Sequence, residues 1–166
     1  MVRQAPSSRS RRVFVGGPIQ HVKLHSDLCT SLRNLITSVL YELEGDGYQI
    51  FSAHRAEAFG LDTDKFSSHE IAMRDFQWMR SCESFVAILP TGRDGAFRTD
   101  GTHIELGWAS AMGKPIVAVV PLPLPESYTH LLRGLGAVAR VDFVDIREVQ
   151  ARPRILNRVL KRQLQS

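Results

Sequence analysis

Two stretches, SFVAILP (84–90) and PIVAVVPL (115–122), are apolar at almost every position, and no other feature of the chain limits its fold as much. A strand with one wet face alternates apolar and polar residues. A strand that is apolar throughout must be covered on both faces, as parallel strands are when helices lie above and below them. RVFVGG (12–17), YQIFSA (48–53) and ARVDFVDI (139–146) supply three more strand-like runs. Between the strands lie segments with apolar residues at helical spacing. DLCTSLRNLITSVLYELEGDG (27–47) stops at Gly-Asp-Gly, and SSHEIAMRDFQWMRSC (67–82) opens with Ser67 and Glu70 in capping-box spacing. A third run ends at Gly113 and Pro115 after a glycine-punctuated loop (91–101), and YTHLLRGL (128–135) and RILNRVLKRQLQ (154–165) are two further helices. Strand and helix alternate throughout. The expected fold is therefore α/β, a single Rossmann-like or flavodoxin-like doubly wound domain over 12–166 with a five-stranded, mainly parallel sheet. Residues 1–11 read as a disordered basic tail.

At 166 residues, 43% hydrophobic and 23% charged, the chain is long enough for one sizeable core and close to globular averages. Its two cysteines, Cys29 and Cys82, have neither CxxC nor metal-ligand spacing, so they read as reduced thiols of a cytoplasmic protein. His21 and His25 stand four apart without a third ligand, and neither a metal nor another cofactor is expected. No apolar h-region follows the basic N-terminus, and no run is long enough to span a membrane. The net charge of +4 and pI near 9.4 come largely from arginines and lysines near the two ends. Without a basic stripe interleaved with aromatics, nucleic acid is not an expected partner.

In such a fold, ligands bind outside the carboxyl ends of the strands, so the loops there hold the candidate site. GGPIQH (16–21) follows the first strand, where bare backbone amides can approach a phosphate or a sugar. It lacks the GK[ST] of a Walker A loop and the later glycines of GxGxxG, and by itself reads as a tight turn. SAHRAEAFG (52–60) brings His54 and Arg55 to the crevice edge, as possible donors to a base, sugar or phosphate or as a solvated loop. Asp75, flanked by Arg74, Gln77 and Trp78, sits mid-helix, where aspartate has poor propensity and is more often a surface residue. Thr102 and Glu105 have the spacing of a capping box, so Glu105 reads either as a helix cap or as a catalytic carboxylate.

Taken together, VFVGGPI, SAHRAEAFG, the Asp75 helix and DGTHIELGWASAMGKP resemble the nucleoside 2-deoxyribosyltransferase superfamily over about residues 12–135. Within it, the chain is most similar to the nucleotide N-glycosidases that hydrolyse CMP or hydroxymethyl-CMP in peptidyl-nucleoside antibiotic pathways, and next to the 2'-deoxynucleoside 5'-phosphate N-hydrolases. The resemblance implies that Glu105 is the nucleophile at the anomeric carbon and Asp75 a proton donor or orienting carboxylate. It implies that Phe14 and the loop Gly16, Gly17, Pro18, Ile19 and Gln20 enclose the base, and that Gly101 also contacts substrate. Six residues before the nucleophile, transferases of free nucleosides carry Asp and monophosphate hydrolases carry Ser; Thr99 stands there in this chain. A hydroxyl donates to a phosphate that a carboxylate would repel, which favours a 5'-monophosphate. Phe14, where the deoxynucleotide hydrolases place Tyr, favours a ribonucleotide, and Gln20, where hydroxymethyl-CMP hydrolases carry Arg, favours plain CMP. Thr129 falls near a serine that meets the phosphate from the neighbouring subunit, implying a homodimer or higher oligomer. The implied substrate is a small nucleotide, with no cofactor.

Overall fold

The computed structural model describes residues 10–19, 27–92, 95–96 and 99–165. Gln20, His21, His25 and all of the basic tail except Ser10 and Arg11 lie outside the described residues, as does the side chain of Cys29. The chain opens with β1 (Arg12–Gly16), α1 (Asp27–Gly45), β2 (Gln49–Phe51) and a single-turn α2 (Ala53–Ala56). Two 3-10 turns (Ala58–Gly60 and Thr63–Lys65) lead to α3 (Ser68–Ser81) and β3 (Ser84–Ile88). Next come a short antiparallel ladder of β4 (Thr91–Gly92) with β5 (Gly95–Ala96), α4 (Asp100–Ala111) and β6 (Ile116–Val120). The chain closes with α5 (His130–Arg133), a 3-10 turn (Leu135–Ala137), β7 (Val141–Asp145), α6 (Ile146–Ala151) and α7 (Ile155–Gln163).

The five apolar runs pair as one sheet in the order β2-β1-β3-β6-β7, every pairing parallel. This is the doubly wound α/β architecture expected from the sequence. Alternation along β1 divides the core. Val13 and Val15 pack with α1, α6 and α7, while Phe14 points the other way, to Met79 of α3 and Leu106 of α4. A fully buried Val, Leu, Ile or Phe contributes about 1.5–3 kcal/mol, so both layers are needed to hold the sheet. α1 carries the chain from β1 out to β2 on one face, and α3 carries it from β2 back past β1 to β3 on the other, so the winding reverses between β1 and β3. The switch point, and hence the crevice for a ligand, lies at the carboxyl ends of β1 and β3.

Several elements depart from the sequence reading. β2 is only three residues long because the chain turns into α2 at Ala53. The loop 91–101 contains the β4–β5 ladder, and α4 begins at Asp100. The unanticipated α6 starts where the Asp145 carboxylate accepts the Arg147 amide at 2.9 Å. No helix among the described residues is long and apolar enough to cross a membrane. The capping box at the start of α3 is as expected: the Ser67 hydroxyl accepts the Glu70 amide at 3.2 Å, and Glu70 accepts the Ser67 amide at 2.8 Å. Ser67→Ala should cost about 1 kcal/mol, read as a Tm about 2–4 °C lower with activity retained.

Candidate active site

On α4, Thr102, Glu105, Leu106 and Ala109 are buried, the i, i+3, i+4, i+7 stripe that an amphipathic helix turns to its core. On α3, Asp75 and Met79 are buried four residues apart. Glu105 and Asp75 thus occupy positions where periodicity calls for apolar side chains, and both stripes face the same side of the sheet. Departures of this kind from local consistency concentrate at functional sites.

The capping reading of Glu105 is corrected by the start of α4. The N-cap is Thr99, so Thr102 and Glu105 both lie inside the helix, and Thr102 does not cap it. Thr99 makes no side-chain cap either; its hydroxyl lies 3.0 Å from His103 Nδ1, which also approaches the Thr99 carbonyl at 2.8 Å. With the Nδ1 proton donated to that carbonyl, the Thr99 hydroxyl keeps its own proton for an external acceptor.

Gly16 has the parity of Phe14 and ends β1 on the α3/α4 face. A Cβ there would collide with Glu105 Oε2, so glycine is what lets the carboxylate lie over the strand end. The reason is close approach and not the tight turn expected from GGPIQH. Gly17, Pro18 and Ile19 then face residues 99–102 across a cleft of about 240 Å³. Thr99 and Gly101 are therefore on the cleft, with Glu105 one helical turn beyond Thr102.

Burial pushes the Glu105 carboxyl well above the usual carboxylate range, and the charge of Asp75 pushes it further; Arg74 opposes and Glu57 adds. Asp75 is raised chiefly by burial, again against Arg74. Arg74 donates through Nε to Asp75 Oδ1 at 2.9 Å and through a terminal nitrogen to Glu57 Oε1 at 2.6 Å. Two carboxylates in one buried site cannot both ionise freely, so each disfavours ionisation of the other and the two titrate as a pair.

Other expected residues are spread more widely. Phe14 is wholly buried, edge-on to Trp78 at 5.8 Å and tilted against Phe85 at 5.3 Å, so it packs beneath the site and forms none of the cleft's open wall. His54 is 1% exposed, below Gly17, and burial lowers its pKa to about 4, keeping it neutral. Arg55 turns away from the carboxylates, pairing with Glu44 of α1 at 2.6 Å and lying over Tyr41. Thr129 is exposed at the start of α5, where its hydroxyl accepts the Leu132 amide at 3.3 Å, and it does not line the cleft. Sequence reasoning missed Glu57, 2% exposed and held by Arg74 and by the Thr63 hydroxyl at 2.7 Å. The signal available was its place in HRAEAFG. It also missed His103, which stands beside Glu105 in GTHIE.

A parallel sheet with two buried carboxylates and a helix start at its switch point has the chemistry to receive a small, anionic or polyhydroxylated molecule. The chain belongs to the nucleoside 2-deoxyribosyltransferase family, whose model matches residues 13–130. Members act on N-glycosyl bonds of small nucleosides and nucleotides, as transferases or as glycosidases. Among solved structures, the chain is similar to the CMP N-glycosidase BcmB of Clostridium botulinum, at 25% identity and TM-score 0.60, covering 88% of this chain and 99% of that one. It is also similar to BlsM, at 34% identity and TM-score 0.64, covering 86% of each chain. A conserved protein of Enterococcus faecalis, 16% identical over 86% of this chain and 96% of its own with TM-score 0.52, shares the fold. No curated protein matches the chain.

Proposed function

We propose that the chain is a nucleoside 5'-monophosphate N-glycosidase, hydrolysing a pyrimidine ribonucleotide, CMP or a modified CMP, to free base and ribose 5-phosphate. The observation that carries this reading is the placement of Glu105 one helical turn from the first turn of α4, under the charge of Asp75 from α3 and with Thr99 at the N-cap of α4. Breaking a glycosidic bond builds positive charge on the sugar, and a carboxylate below the anomeric carbon stabilises it. Glu105 supplies that carboxylate. The C–N bond breaks with its electron pair leaving on the base, which is protonated as it departs. Asp75 orients the reacting groups or carries that proton. Water then adds to the anomeric carbon through its oxygen, its proton passes to the carboxylate pair and replaces the one given to the base, and the sugar phosphate is released.

The phosphate end is read from α4. A 12-residue helix turns the positive end of its dipole and the backbone amides of Gly101 and Thr102 toward the cleft, where a phosphate is stabilised. The Thr99 hydroxyl, whose proton is not given to His103, is a donor for the same group. Similarity to the CMP N-glycosidase supports hydrolysis and the pyrimidine base.

The test is to incubate the protein with each ribo- and deoxyribonucleoside monophosphate and follow free base by chromatography, with CMP expected to react fastest. Exchange of base between a free nucleoside and a second base, with no release from any monophosphate, would overturn the hydrolase reading in favour of a transferase. Thr99→Asp should lower kcat/KM for the monophosphate by about 10–100-fold, since a charged hydrogen bond is worth about 1.5–3 kcal/mol. The same change should leave any activity on the unphosphorylated nucleoside nearly unaltered.

A further inference from the structure

The Arg74 side chain is unusually constrained for an arginine on a helix surface. Its guanidinium splits its fork between two acids, Asp75 at 2.9 Å and Glu57 at 2.6 Å, and lies over Trp78 at 4.7 Å and Phe66 at 5.7 Å. Trp78 is itself fixed, stacked on Phe51 with ring centroids 5.7 Å apart. Glu57 is 2% exposed and accepts the Thr63 hydroxyl at 2.7 Å, which leaves it one orientation toward Arg74. A lone buried carboxylate is costly, and pairing with Arg74 offsets that cost for both Glu57 and Asp75, while the second terminal nitrogen of Arg74 has no hydrogen-bond partner among the described residues.

We propose that Arg74 and Glu57 are positioning residues for the carboxylate pair: Glu57, anchored by Thr63, fixes the Arg74 guanidinium, and Arg74 orients Asp75 and balances its charge beside Glu105. The proposal rests on the reading of Glu105 and Asp75 as the reacting pair. Among the described residues, the charged groups that bear on Glu105 are Asp75 and Arg74 from α3 and Glu57 from the turn after α2. Their effects have opposite signs. Arg74 favours ionisation of both carboxyls, and Glu57 disfavours it. Charge and geometry can therefore be separated by substitution.

The experiment compares Arg74→Gln, Arg74→Lys and Glu57→Gln by the pH profile of base release and by carbon NMR titration of the labelled carboxyls in the resting protein. Arg74→Gln should move the acid limb of the profile, and the Glu105 titration, to higher pH. Its kcat should fall about tenfold or more with KM altered less than about threefold, because orientation and not binding is lost. Glu57→Gln should move both to lower pH. Arg74→Lys, which keeps the charge but loses the planar fork, should leave the limb near its wild-type position while kcat stays reduced. Shifts of the same sign in Arg74→Gln and Glu57→Gln, or no shift in folded variants, would overturn the proposal. Should Arg74→Gln fail to fold, Glu57→Gln decides it: a downward shift supports the relay and an unmoved Glu105 refutes it. If the wild type releases no base from any monophosphate, the hydrolase reading fails, and the resting-state titrations still decide the relay by the same signs.

Discussion

Glu105→Gln should remove base release and, at the same time, make the protein more stable above neutral pH. Glutamine keeps the shape of the side chain but can neither attack nor carry the charge that stabilises an oxocarbenium-like state, so kcat should fall by about a thousandfold or more. The stability gain follows from where the carboxyl sits. Its pKa in the folded protein is raised by burial and by Asp75, so the protonated form suits the fold and the ionised form does not. Below the unfolded value both states are protonated and no penalty arises. As pH rises through that value toward the folded one, the unfolded chain gives up its proton first and stability is lost. Glutamine cannot ionise and escapes this loss. The Tm difference between Glu105→Gln and wild type should thus be small near pH 4 and grow toward pH 8, by about 2–4 °C for each kcal/mol recovered. Thermal melts across that range, with base release measured alongside, check both halves. A variant that loses activity without gaining stability at pH 8 would contradict a carboxyl whose ionisation burial disfavours. A cap, by contrast, would give neither effect.

How much of this was legible in the sequence depends on the range of the interaction involved. The sheet was legible because strands buried on both faces are apolar at every position, as Phe85–Ile88 and Ile116–Val120 are. The start of α3 was legible because Ser67 and Glu70 interact within three residues of each other. The same local rule misled at Thr102 and Glu105. Their spacing satisfies a capping box, yet α4 begins at Asp100, and the register places them on its core-facing stripe. Asp75 read as a surface residue because mid-helix aspartate usually is one, and only the packing of α3 against α4 shows otherwise. Glu57 reaches Arg74 across 17 residues through two 3-10 turns and the first half of α3, a path that no periodicity encodes. The segment Ala58–Phe59 adopts positive φ without glycine, which propensity could not have foreseen.

Gly16→Ala is expected to be the most damaging change to the first loop, and the reason is the carboxylate above it. The new methyl would overlap Glu105 Oε2 and stand 3.0 Å from two atoms of the Phe85 ring. Phe85 is wholly buried in the layer beneath α3 and α4, so it has little room to yield. Overpacking of this kind costs about 1–3 kcal/mol, a Tm loss of several degrees, and the softer neighbour, Glu105, is the one displaced. Moving a reacting group by about 1 Å can cost about a hundredfold in rate, so activity should fall by at least that factor even in the fraction that remains folded. Gly17→Ala is the control. Its methyl would meet His54 and Ile88 at 3.4 Å, ordinary contact, and should change stability far less. The two causes at Gly16 separate in a double-mutant cycle with Glu105→Ala. Truncating Glu105 removes the carboxylate half of the clash and leaves the Phe85 half, so Gly16→Ala should cost measurably less stability in that background. Equal cost in both backgrounds would assign the whole effect to Phe85 and remove the steric link between the first glycine and the Glu105 carboxylate.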